Sequence, residues 1–168
     1  TSARARLTAG GDNGGVGASF AMTRLDDDLT VVLYDGALLE GVDALTLLAS
    51  GTDDSSAAAW AGSEGGTAAS PATALSISDS DANVVVDSAE AIDLRGALVM
   101  TILRTHLSST LADAQGTGEG IAAGAALAVD YGAQNDAAAS ASPVTAASAN
   151  LITRTTFDGS TRAIGSAR

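Results

Sequence analysis

The stretch GTGEGIAAGAALAVDY, residues 116–131, contains Gly118-x-Gly120-x-x-Ala123. This is a loose form of the fingerprint that wraps backbone around a dinucleotide pyrophosphate. That chemistry needs an apolar strand running straight into the first glycine and a helix opening after the last. The nearest strong strand pattern before Gly118 covers residues 98–103, and SSTLADAQ intervenes. Glycines of the same kind also precede alternating residues in GDNGGVGASF and GSEGGTAASPATAL. A phosphate cradle has no reason to recur at a structural period. The glycines therefore read as turns, and no cofactor is assigned to them.

Carboxylates are the next candidates. Asp26, Asp27 and Asp28, Asp53 with Asp54, and Asp79 with Asp81 cluster in what read as Asp-rich turns. Hard cations take oxygen ligands from such turns, which makes Asp26, Asp27, Asp28, Asp79 and Asp81 the calcium candidates. GGDNGG has the flavour of calcium-binding glycine-aspartate rolls, but their nonapeptide period is represented only once. No loop has the EF-hand pattern of spaced oxygen ligands ending in a bidentate Glu. Asp also favours solvated turns with no metal at all.

Catalytic parts are scarce. His106 is the only histidine, Cys and Lys are missing, and no Gly-x-Ser-x-Gly surrounds Ser108 or Ser109. Most nucleophilic and zinc chemistries are thereby excluded. Paired carboxylates of the glycosidase kind remain, but Asp is so abundant that any fold would bring some together. His106 reads as a surface or edge residue at a strand exit. Trp60, Tyr34, Tyr131, Phe20 and Phe157 are too scattered to form a sugar-binding platform. They read as core or edge packing, with Phe20 in the core phase. The sequence thus assigns no catalytic residue and reads as a non-enzyme.

The elements that would position these residues recur. Leu45, Leu98 and Leu151 stand about 53 residues apart. Phe20, Leu75 and Leu127 form a second series at nearly the same spacing, and DLTVVL, DANVVV and DAAASA a third. The expected organisation is one domain, 1–168, of about three units (1–53, 54–107, 108–168). Each unit would hold a polar or Ala/Ser stretch, an alternating strand, an Asp-rich turn, a second strand, a short link and a third strand. Val31-Val32 and Val84-Val85-Val86 are β-branched and favour strands. The Ala clusters at 57–61 and 137–141 are assigned to strands against their helix propensity, because Ser, Thr, Gly and Asp interrupt them. The fold class is all-β, a repetitive stack of strands, β-solenoid-like or in layered sheets.

Composition agrees. Hydrophobic residues make up 46% of the 168 but aromatics only 3%. Such a core is thin, and its layers must approach closely. The net charge of −12, with no basic stripe, speaks against nucleic acid and anionic membrane surfaces. No segment is apolar for long enough to insert as a membrane helix. The start at Thr1, without an initiator Met or signal pattern, reads as a processed product or excised fragment.

Laid out in this way, GGVGASFAMTRLDDDLTVVLYDGALLEGVDALTLLASGTDD, ATALSISDSDANVVVDSAEAIDLRGALVMTI and GEGIAAGAALAVDYGAQNDAAASASPVTAASANLITRTTFDGS resemble the degenerate arrays of very large bacterial secreted and surface proteins. Those arrays are adhesin-like or filamentous-haemagglutinin-like. The resemblance implies an extracellular β-rich scaffold without catalytic machinery. Its partners would be neighbouring repeats, copies of itself, or a cell-surface or polysaccharide ligand. The alternative is a polysaccharide- or calcium-binding module that uses the Asp-rich turns or one sheet face.

Overall fold

The computed structural model describes residues 1–34, 39–88, 92–140, 144–145 and 148–167. All regular structure among these residues is strand. One sheet holds β1 (Ser2–Gly10), β5 (Leu45–Glu64), β8 (Ala97–Thr117) and β11 (Ser148–Ala167), in that order. The second is centred on β6 (Thr67–Val86). It has β2 (Gly15–Val16) and β3 (Ser19–Leu33) along one side and β9 (Ile121–Ser140) along the other. A short third sheet joins β4 (Glu40–Val42), β7 (Ile92–Leu94) and β10 (Val144–Thr145). All pairings are parallel. The chain visits the first, second and third sheets in turn and then returns to the first, which is the stacked-strand architecture the sequence implies.

The first two sheets face each other, and their inward rows change character along the strands. Toward the turn joining β5 to β6 the interior is mostly alanine, Ala57, Ala59, Ala61, Ala72, Ala74, Ala112 and Ala114, with the hydrogen-bonded Ser63 and Ser70 nearest the turn. Next comes a polar layer containing Ser55, Ser76, Ser78, Asp53, Arg104 and His106. Beyond it Ala49, Ala82, Val84 and Ile102 pack together. Finally Val86, Ile92, Leu94 and Leu98 fill the end closed by the third sheet. The apolar filling is alanine at the turn end and Val, Ile and Leu at the third sheet, so the two long sheets converge toward the turns.

At the turn end little space remains. A Cβ built on Gly116 would lie 2.9 Å from the carbonyl oxygen of Ala123 on the opposite sheet, and one built on Gly124 would run into the carbonyls of Ala114 and Ser166. This explains the phase of the strands. On β3 the buried residues are Ser19, Ala21 and Thr23, whereas Phe20 and Met22 point outward. The core phase expected for Phe20 is therefore reversed. Alternation alone does not say which phase is buried, and here the narrow gap admits only the small set.

Other expectations are corrected too. The Asp-rich segments at 24–28, 78–81 and 132–136 are not turns but the middles of β3, β6 and β9. Asp158-Gly159 likewise lies within β11. SSAAAWAGSE continues β5, and SSTLADAQGT continues β8. Parallel pairing of β6 with β3 over fifteen residues and with β9 over twenty gives the Asp-rich segments continuous ladders, which outweigh the turn preference of Asp. The Ala cluster at 57–61 is strand, and so is 137–140. Asp12, Asn13 and Gly14 do lie in a connection, whereas Asp35-Gly36 falls outside the described residues.

Register refines the repeat series. Leu45 pairs with Leu98, as the spacing implies, but Leu151 pairs with Met100. Phe20 and Leu127 flank Thr73, while Leu75 lies between Met22 and Val129. Asp28 pairs with Asp81, and Asp81 with Asn135 rather than Asp136.

Candidate functional site

Gly118 and Gly120 lie between β8 and β9, against the turn that joins β5 to β6. A Cβ on either would strike the carbonyl of Gly65 or Gly66. A strand follows them, not a helix. The fingerprint is therefore one layer in a stack of turns. Gly11 N–H donates to Glu64 O at 3.3 Å, and Gly65 N–H donates to Thr117 O at 3.2 Å.

Two places gather polar chemistry. The first lies inside. Ile102, Arg104, His106 and Ser108 alternate inward on β8. Arg104 has Gly51 as its register partner on β5, so no side chain blocks its guanidinium on that side. Its Nε lies 3.5 Å from Asp53 Oδ2, and its Nη2 lies 3.3 Å from Asp27 Oδ2. Ser80 Oγ donates to Asp53 Oδ2 at 3.1 Å. His106, register partner of Asp53, lies with Nδ1 3.3 Å from Ser78 Oγ. Ser76 Oγ accepts from Thr23 at 3.3 Å and sits 3.0 Å from Ser55 Oγ. The contacts of Arg104 with Asp27, Ser80 with Asp53, Ser78 with His106 and Ser76 with Ser55 tie the two long sheets together. His106 is fully buried, so its expected place at a strand exit on the surface is overturned. The clue in the sequence is phase: His106 and Arg104 follow the apolar Ile102 at steps of two.

The calcium candidates divide between the two faces. Asp26 pairs with Asp79, and Asp28 with Asp81, as two adjacent rows on the outer face of the second sheet. Arg24 Nη2 lies 3.4 Å from Asp26 Oδ2. Thr30 Oγ1 donates to Asp28 at 3.0 Å, and Asn135 Nδ2 to Asp81 at 3.0 Å. Asp27 points the other way, toward Arg104. Among the described residues no group of three or more His, Cys, Asp or Glu side chains is arranged to hold a metal ion.

The second place is the outer face of the first sheet. Trp60 projects outward from β5, half-buried, with Arg6 and Asp113 as its register partners on either side. It is therefore neither core nor on an edge strand. Ala58 and Gly62 flank it on the same face of its strand and leave the indole uncrowded. A hollow of about 210 Å³ forms there, lined by Arg6, Trp60, Glu64, Asp113 and Gln115 among others. A more open one reaches Arg4. Gln115 Nε2 donates to Asp113 at 3.3 Å across one wall. Two guanidinium-bearing residues beside an indole stand out in a chain of charge −12.

With fold and sites in view, the chain belongs to the class of parallel stacked-strand, β-solenoid-like proteins. No family model, characterised protein or solved structure compared with it matches.

Proposed function

We propose that this chain is a non-enzymatic structural repeat module, a spacer or adhesive surface outside the cell that associates with neighbouring repeats or with copies of itself. The observation that carries this reading is the one-for-one pairing of the twenty residues of β5 with β8, and of the twenty of β6 with β9. Such a layer completes its interior only when another lies above and below it. Leu29, Val31 and Leu33 at one end, and Ala126 and Ala128 at the other, are only partly buried. The edges there carry backbone groups that a further parallel strand would satisfy. The extracellular setting rests on the resemblance to secreted repeat arrays. Light scattering and electron microscopy over a concentration series test the proposal: particles should lengthen along the stacking axis. A strictly monomeric species at high concentration overturns it.

The hollow at Trp60 favours a second reading, polysaccharide binding on the outer face of the first sheet. An uncrowded indole offers a flat apolar surface for a sugar ring, and Arg4 and Arg6 would donate to carboxylates and hydroxyls. Trp60 is the sole tryptophan, so its fluorescence reports on this site alone. Uronic-acid oligosaccharides should shift the emission, and Arg6→Ala should weaken the response. No shift with either acidic or neutral oligosaccharides overturns this reading.

A further inference from the structure

The outer face of the second sheet is apolar where it should be polar. Parallel sheets are ordinarily covered on both faces. This one is covered inside by the first sheet but bears its largest apolar side chains outside. Phe20 is 59% exposed and Leu127 56%, in one row with the half-buried Thr73 between them. The next row holds Met22, Leu75 and Val129. The row after that holds Ile77 and Tyr131, the latter 60% exposed, with Arg24 at its β3 end turned toward Asp26 and marking the charged margin of the patch. Toward the turns the patch continues to Val16 and Ile121, each more than 70% exposed. Contiguity follows from register, because side chains in one row stand about 4.8 Å apart along the stack.

Size decides what this patch is for. With about 150–200 Å² for each large side chain, the exposed parts come to roughly 700 Å². The largest apolar patch on an ordinary monomer is about 300–600 Å², whereas a standard specific interface takes about 800 Å² from each partner. The patch is thus too large for an idle surface and close to what a dimer needs.

We infer that this face docks on the same face of a second copy of the chain, giving a two-fold, sheet-on-sheet dimer. Charge chooses between the two ways of pairing the faces. Row Asp26–Asp79 and row Asp28–Asp81 border the patch on the side away from the turns. With the two-fold axis along the strands, each row would face itself, and Asp79 would meet Asp79 of the other copy. With the axis along the stack, the strands of the two copies run antiparallel. The patches then overlap, and each copy's carboxylate rows project beyond the contact. The second arrangement leaves an apolar centre and a charged rim, as specific interfaces have. The contact is lateral and closed at two copies, so it does not depend on lengthening along the stack.

Sedimentation equilibrium tests this on the whole chain. The wild type should include a dimer at micromolar concentration that strengthens with salt as the rim charges are screened. Met22→Asp and Val129→Asp should each weaken it at least tenfold. Both side chains point outward, and an unchanged circular dichroism spectrum separates lost docking from lost folding. As a positive mark, Thr73→Cys lies in the row of Phe20 near the two-fold axis. It should be joined to its mate by a short bis-maleimide, whereas Thr101→Cys on the first sheet should not. The inference is overturned by a wild type monomeric to hundreds of micromolar, by a dimer unchanged by both Asp variants, or by a monomer that instead binds lipid vesicles through this face. Lengthened particles that never double in width would retain end-to-end association and remove the lateral dimer.

Discussion

Arg104 on β8 and Asp53 on the neighbouring strand β5 meet inside the stack, Nε to Oδ2 at 3.5 Å, with side chains 0% and 6% exposed. Neither charge has bulk water to fall back on. Removing one partner of such a pair strands the other and costs about 3–5 kcal/mol. Arg104→Met should therefore be severely destabilising, because it leaves Asp53 buried with the neutral Ser80 hydroxyl as donor in place of a cation. Asp53→Ala should be milder, since Asp27 still lies beside the guanidinium, 42% exposed. The double variant should cost less than the two single losses added together. Urea unfolding of the four proteins gives the coupling, expected at about 2 kcal/mol or more. Strict additivity would mean that Arg104 and Asp53 do not act as a coupled pair.

Ala58 and Ala59 are adjacent on β5 but face opposite ways. Ala59 is fully buried where the sheets converge, while Ala58 lies half-buried on the outer face. Ala59→Leu forces extra methylenes into the narrowest part of the interior and should cost about 1–3 kcal/mol or more. Ala58→Leu adds the same atoms to an open face and should stay within about 0.5 kcal/mol of wild type. Thermal unfolding of the two variants side by side measures the asymmetry. Equal losses would contradict the wedge-shaped interior.

This pair also shows how far the sequence could be read. Period-two alternation and β-branched runs point to strands, and recurrence points to stacking; both are properties of the local chain. The buried phase is not local. Phe20 and Met22 are the natural choice for a core until the opposite sheet, lined by Ala and Gly, leaves no room for them. Register likewise is set by pairing. The eye aligns Phe20 with Leu75, whereas the ladder aligns Met22 with Leu75. His106 and Arg104 could have been placed by counting in twos from Ile102, but the carboxylate that meets Arg104 comes from another strand. No spacing within β8 announces it.

Asp79 stacks directly on Asp26, and Asp81 on Asp28, along the outer face of the second sheet. Like charges placed opposite each other destabilise a sheet. Asp79→Asn should therefore raise stability by about 0.5 kcal/mol at low salt, with the gain fading near 1 M, where the screening length falls to about 3 Å. The same carboxylates bear on calcium. A hard cation takes about six to eight oxygens, and these rows present two carboxylates at a time. Calorimetry of chelator-treated protein should show no site-specific heat at millimolar calcium. A saturable heat that disappears in Asp79→Asn would reverse that expectation.

Gly65 sets the turn between β5 and β6 with φ of +137°, the one positive φ among the described residues. A side chain is strained at that angle whatever the space around it. Space is also short, because a Cβ would strike the Gly11 carbonyl and lie 3.1 Å from Gly14 Cα. The neighbouring turn hangs on the same residue through the bond from Gly65 N–H to Thr117 O. Gly65→Ala should thus cost more than backbone strain alone, about 2–4 kcal/mol, by separating stacked turns as well as bending one. Gly66→Ala is the control. Its nearest neighbour would be the Asn13 carbonyl at 3.4 Å, and its φ is not positive. Hydrogen exchange should locate the damage, with amides at Gly11 and Gly65 losing protection in Gly65→Ala while those of β6 near Val84 and Val86 keep theirs. Uniform loss along β6 would mean that the turns and the distant strand ends unfold as one unit, contrary to an interior divided into separate layers.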